Sequence, residues 1–243
     1  MSLIRKLIPA AALVGIALGA TPAMADAITL SAADVGNSYT FNYDGFSGST
    51  PISGLTAGTT FTLTGTTATS YSFSYNVANT TSSPLTSRVS GFAFNTDPTI
   101  SSASSTGAFS YTTLDSSYPN GIGAVDVCFK DAATGSCAGG GGGGLAQGTT
   151  GAGSFTLNFA APLSSLTLSD FFVRYQSITG AGNVSSANGS GTLTSTGGTT
   201  TTSGGTTVPE PGMLGMMAGG IAALALLRRR RRPSKAALTP AFA

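Results

Sequence analysis

The 243-residue chain has no histidine and no tryptophan, a single glutamate, Glu210, and two cysteines. Each scarcity removes a class of function. Without histidine, neither a Ser-His-Asp nor a Cys-His arrangement can be assembled, and the usual general base near neutral pH is missing. No G-x-S-x-G elbow occurs. A glycosidase pair would have to come from aspartates alone, with no tryptophan to build a sugar subsite. Two cysteines and no histidine cannot supply four sulfur and nitrogen ligands to zinc. The expectation is a non-enzymatic protein with no catalytic residues, no cofactor and no metal site.

Charge is also scarce, at 8% of residues, and it is unevenly placed. At the N-terminus, Arg5-Lys6, the apolar run from Leu7 to Ala20 and Ala23-Met24-Ala25 form the three regions of a secretory signal peptide over residues 1–25. Ala23 and Ala25 are the small residues of the cleavage site, and the mature chain starts at Asp26. At the other end, Val208-Pro209-Glu210-Pro211 precedes a 16-residue apolar stretch, Gly212 to Leu227, and five arginines, Arg228, Arg229, Arg230, Arg231 and Arg232. As a helix that stretch is about 24 Å long. It falls short of the roughly 30 Å hydrocarbon core, and snorkelling arginines make up part of the difference. Five arginines are a stop-transfer signal that holds the C-terminus in the cytoplasm and leaves the Pro-Glu-Pro segment at the outer face. Residues 233–243 follow as a cytoplasmic tail to which no role is assigned.

Motif, short transmembrane helix and basic cluster, in that order over residues 208–232, resemble the PEP-CTERM sorting signal of Gram-negative bacteria that make extracellular polysaccharide. The resemblance implies an exosortase as processing partner. It also implies a transient inner-membrane anchor followed by release to the cell surface or exterior, in association with extracellular polysaccharide or biofilm.

With both signals set aside, residues 26–207 hold three cations, Arg88, Lys130 and Arg174, against eight aspartates, a net charge of −5. A nucleic-acid partner, which needs a basic face, is not expected. Alternating apolar and polar residues recur throughout, as in Tyr71-Ser-Phe73-Ser-Tyr75-Asn-Val77 and Phe155-Thr-Leu157-Asn-Phe159. Period two with one polar face means half-buried antiparallel strands. Turn signals stand at Asp44-Gly45, Ala57-Gly58, Tyr118 to Gly121 and Ala161-Pro162. No ten-residue helical pattern interrupts them. The expected fold is all-β, an antiparallel β-sandwich of jelly-roll type over residues 26–186, flanked by the N-terminal signal helix and the C-terminal transmembrane helix. From Ala187 to Thr207 the apolar residues thin to Leu193, which reads as a Gly/Ser/Thr-rich linker open to O-glycosylation.

Cys128 and Cys137, an even count in a chain routed to an oxidising compartment, read as one disulfide. Closing a ten-residue loop stabilises by about 2–3 kcal/mol on the loop-entropy model. Six glycines follow, Gly139 to Gly144, but Leu145-Ala146-Gln147 stands where a phosphate loop needs Lys-Ser/Thr, so a flexible loop is expected. Residues 125–144 and 166–178 together look like the "cistern" group of PEP-CTERM proteins, which implies the same export route and a β-rich body. Asp126 and Asp131 flank Cys128 as a weak calcium candidate without D-x-D spacing, and surface solvation is the simpler reading. Arg174 is expected to pair with an aspartate or to stack on an aromatic ring. Two functions remain open: an exported surface or matrix protein, and a carbohydrate-binding module using Tyr and Phe faces with or without calcium.

Overall fold

A computed structural model describes residues 26–140 and 142–197. The signal peptide, the Pro-Glu-Pro motif, the transmembrane helix, the arginine cluster and the cytoplasmic tail lie outside the described residues.

The alternating segments form strands as their period requires. In chain order they are β1 (Ile28–Leu30), β2 (Ser38–Ser47), β3 (Thr50–Thr66), β4 (Ser70–Asn79), β5 (Thr86–Asp97), β6 (Ser102–Gly107), β7 (Tyr111–Tyr118), β8 (Gly123–Lys130), β9 (Leu145–Ala146), β10 (Thr150–Asn158), β11 (Leu166–Thr179) and β12 (Ala187–Gly197). No α-helix occurs among the described residues; one 3-10 turn, Ala32–Asp34, is closed by a capping box between Ser31 and Asp34. In β4 the pattern is strict: Tyr71, Phe73, Tyr75 and Val77 point into the core, while Ser70, Ser72, Ser74 and Asn76 point out.

All pairings are antiparallel and follow a single path, β6-β10-β4-β3-β2-β12-β11-β5-β8-β7, with β1 on β11 and β9 on β5. The all-β, antiparallel expectation is met. The expected pair of stacked sheets is replaced by one sheet that wraps almost into a barrel. Its two end strands, β6 and β7, lie beside each other. The link between them carries Phe109, which is fully buried and whose N–H donates to Tyr75 Oη at 2.9 Å. Period-two alternation is the same in a sandwich and a barrel, so the sequence does not separate them. Bulges decide it. Register shifts at Leu63/Gly65 in β3 and at Ser169/Phe172, Arg174/Tyr175 and Gln176/Thr179 in β11 bend long strands around the core without breaking the hydrogen-bond path.

One core fills the interior. Phe61 is at its centre, with the rings of Phe41, Phe92, Phe94, Phe155 and Phe171 at 5.4–6.2 Å between centroids. Edge-to-face and offset pairs of this kind add about 0.5–1.5 kcal/mol each beyond area burial. A smaller apolar cluster, Ala93, Tyr118, Val125, Cys128 and Cys137, lies on the outer side of β5 and β8.

The linker expected from Ala187 is corrected by β12, which sits in the middle of the sheet between β2 and β11. Its glycines are there because the neighbours are large. A Cβ on Gly189 would meet Tyr175 and Val173 at 2.9 Å and Tyr43 at 3.0 Å, and one on Gly191 would meet Tyr43 at 2.8 Å and Phe171 at 2.9 Å. Where β12 parts from β11, the Asp26 carboxylate accepts from Leu193 N at 2.5 Å and joins the two ends of the domain.

Two turn signals are also corrected. Asp44-Gly45 and Ala57-Gly58 fall inside β2 and β3, because a Cβ on Gly45 would lie 2.5 Å from buried Leu55 and the chain turns instead at Gly48, with φ +59°. Tyr118 to Gly121 does join β7 to β8. There Asn120 and Gly121 take positive φ at the centre of a four-residue loop, 119–122.

Candidate functional site

The described surface divides into two unlike halves. Strands β2, β3, β4, β6 and β10 contain a single charged residue, Asp44. All three cations, together with Asp97, Asp115, Asp126, Asp131 and Asp170, belong to β5, β7, β8, β11 and the loop after β8.

On the charged half a strap of residues 131–140 and 142–144 lies against β5, and the disulfide Cys128–Cys137 ties it to β8, with a Cα separation of 5.8 Å. Lys130 points under the strap and is 1% exposed. Its ammonium donates to Thr113 Oγ1 at 2.6 Å, to Ser136 O at 2.8 Å and to Thr134 O. Burial pushes its pKa down, and neighbouring Asp131 opposes that shift. Three oxygens around a desolvated ammonium leave it no proton donor to offer, so its role is to brace the loop inside the disulfide.

The glycine tract is corrected from a flexible loop to a closely fitted one. Asp131 N donates to Ser90 O at 3.1 Å, Ser90 Oγ and Gln176 Nε2 both donate to Ala138 O, and Arg88 Nη1 donates to Gly144 O at 3.3 Å. Any Cβ on Gly139 or Gly144 would fall within 2.5 Å of a β5 carbonyl oxygen, and both take positive φ. Only glycine lets the backbone come so close.

Among the described residues Arg174 is not paired with an aspartate. It is 5% exposed, and its Nη1 donates to Ala187 O at 3.2 Å and Asn188 Oδ1 at 3.0 Å. Desolvation lowers its pKa, with Tyr118 opposing. Tyr118 Oη, Arg174 Nε, Gln176 Oε1 and Asp131 Oδ2 are buried without a hydrogen-bond partner among the described residues. The calcium candidate separates into two local roles. Asp126 Oδ2 accepts from Thr96 N at 2.7 Å, and Asp131 Oδ1 accepts from Gly140 N at 2.7 Å. No group of three or more His, Cys, Asp or Glu residues converges among the described residues.

On the uncharged half, outward hydroxyls pair across strands: Ser38 with Thr62 at 2.7 Å, Thr40 with Thr60 at 3.1 Å, Ser72 with Thr156 at 3.0 Å and Thr106 with Ser154 at 2.9 Å. Such pairs stabilise an antiparallel sheet by a few tenths to about 1 kcal/mol each. A groove of about 290 Å³ opens on this half, lined by Asn42, Tyr43, Asp44, Thr56, Ala57, Gly58 and Thr80. Sequence reasoning missed it, since its residues come from β2, β3 and Thr80 just past β4, and only Asp44 stands out in a list of ionisable groups. Among the described residues Tyr111 is the one tyrosine or phenylalanine whose ring is exposed. Val35 and Tyr111 are the exposed large apolar side chains among the described residues, and the other tyrosines and phenylalanines pack inward or lie partly covered.

A family model for the PEP-CTERM protein-sorting motif matches residues 207–232. The chain carries a PEP-CTERM sorting signal. That signal implies targeting to an exosortase and a cell-surface or extracellular destination. No match was found among curated proteins or among solved structures.

Proposed function

We propose that this chain is a non-enzymatic surface or extracellular-matrix protein, processed by an exosortase and retained in extracellular polysaccharide or biofilm. The carrying observation is the PEP-CTERM motif at residues 207–232, placed ten residues after the last strand of a β-domain that ends at Gly197. The reading includes a signal peptide cleaved after Ala25, a membrane-spanning stretch from Gly212 to Leu227 and retention of Arg228 to Arg232 in the cytoplasm. Membership of the "cistern" group belongs to it too, on residues 125–144 and 166–178. A hydroxyl-rich, nearly uncharged half suits a hydrated polymer, because it hydrogen-bonds with water and sugars alike and attracts no counter-charge.

The test replaces Pro209-Glu210-Pro211 with three alanines and follows a C-terminal epitope tag across cell fractions. The unmodified chain loses the tag and reaches the exterior, while the alanine variant stays in the inner membrane with its tag. A tag retained on exported, unmodified protein would show an ordinary anchor instead.

A further inference from the structure

The groove on the uncharged half has properties that packing does not require. We propose that it is a subsite for one ring of a neutral glycan, a polyhydroxylated chain without carboxylate or sulfate groups; the proposal rests on delivery of the domain into extracellular polysaccharide.

Three observations carry it. First, Asn42 and Asp44 are exposed and two residues apart on β2, so both point outward with their side chains roughly 7 Å apart. Neither forms a side-chain hydrogen bond among the described residues, whereas the hydroxyls around them are paired. Thr80 Oγ1 donates to Thr56 Oγ1 at 2.9 Å, and Thr56 Oγ1 donates to Thr80 O at 2.9 Å. Both threonine protons are thus spent inside the groove, and its wall offers a carboxylate, an amide and hydroxyl acceptors. The carboxylate needs donors from a ligand while the Asn42 amide both gives and accepts, and vicinal hydroxyls on a pyranose ring meet a planar carboxylate or amide two at a time.

Second, Gly58 leaves the floor open without structural need. Its φ is not in the left-handed region, and an added Cβ would meet Phe41 O at 3.7 Å and Asn42 Oδ1 at 3.8 Å, ordinary contact distances. Gly45, Gly153, Gly189 and Gly191 differ in this respect, since a Cβ on any of them would come within 3.0 Å of a neighbour.

Third, charge and size narrow the occupant. Asp44 is the one charged residue on five strands, so an acidic polymer meets repulsion with no cation to offset it. At about 290 Å³ the groove lies at the bottom of the ~300–1,000 Å³ range of small-molecule pockets, which suits one sugar ring.

The experiment titrates the ¹⁵N-labelled exported chain with cellotetraose, maltotetraose and tetragalacturonate. At least one neutral probe is expected to give saturable shifts at residues 42–44, 56–58 and 80, with a millimolar Kd, and tetragalacturonate none. Gly58→Thr fills the floor and is expected to weaken binding at least tenfold with an unchanged melting temperature. Asp44→Asn, which keeps shape and exposure, serves as a second variant and is also expected to weaken it. Silence from both neutral probes, equal binding of tetragalacturonate, or an unchanged Kd in both variants would overturn the proposal. Tag release in the processing test is independent of the groove, so the two readings fail separately.

Discussion

Gly189→Ala separates a central strand from a linker by the sign of its effect on stability. The added Cβ would stand at 2.9–3.0 Å from Tyr175, Val173 and Tyr43, all of which are no more than 1% exposed and cannot swing into solvent. Overpacking a fitted site costs about 1–3 kcal/mol. The loss of chain freedom on replacing glycine returns roughly 0.4–1 kcal/mol through the unfolded state. The net loss is about 1–2 kcal/mol, and at about 2–4 °C per kcal/mol for a domain of this size the melting temperature falls by roughly 2–8 °C. Gly197→Ala is the control: nothing lies within 4 Å of its Cβ, so only the unfolded-state gain remains and melting is unchanged or slightly raised. Thermal melts of the exported chain, followed by circular dichroism, compare the two. If Gly189→Ala melts with or above Gly197→Ala, the packing of β12 against β2 and β11 is wrong.

Reduction tests the strap. Both cysteines are 1% exposed, so thiol labelling is expected only when reductant and denaturant are present together, and the reduced chain loses about 2–3 kcal/mol of stability. Label uptake without reductant would refute the bond. Alkaline titration tests the core. Burial raises the pKa of Tyr39, Tyr43, Tyr71, Tyr75, Tyr118 and Tyr175, so the folded state holds protons that the unfolded chain releases above about pH 10. Their contribution is intact below that pH and is lost as pH rises. Lys130 works the other way, since its lowered pKa makes the folded state release a proton first, but one lysine stands against six tyrosines. Absorbance at the tyrosinate band should therefore rise together with loss of circular dichroism; ionisation of these six tyrosines near pH 10 in a still-folded chain would contradict their burial.

The strands were legible wherever large apolar residues alternate with hydroxyls. Tyr71 to Val77 and Phe155 to Phe159 are in the expected register, and the residues that alternation points inward are buried. What escaped is written in glycine. Gly189 and Gly191 are featureless in the sequence because the volume they make room for belongs to Tyr43, Phe171 and Tyr175, far away along the chain. Gly139 and Gly144 are alike in this: their fit depends on carbonyls of β5, about fifty residues earlier. Composition reads glycine as freedom, while a close approach uses it as clearance. The cysteine pair was legible because its partner is local. The groove was not, because Asn42 and Thr56 become neighbours only through the β2–β3 register and Thr80 joins them through its hydrogen bonds to Thr56 just past β4.

The position of β12 sets an order of events on export. A chain that emerges N-terminus first presents β2 long before β12 and β11 only just before it, and neither of the edges that will flank β12 can be satisfied by a neighbour in the finished sheet until Ala187–Gly197 arrives. The barrel closes around its final strand. Ten residues separate Gly197 from Val208, where the Pro-Glu-Pro segment begins, so the final strand and the sorting signal follow one another closely along the exported chain. A protease or an aggregating partner has access to the open edge of β2 for most of the domain's passage and loses it in the last step.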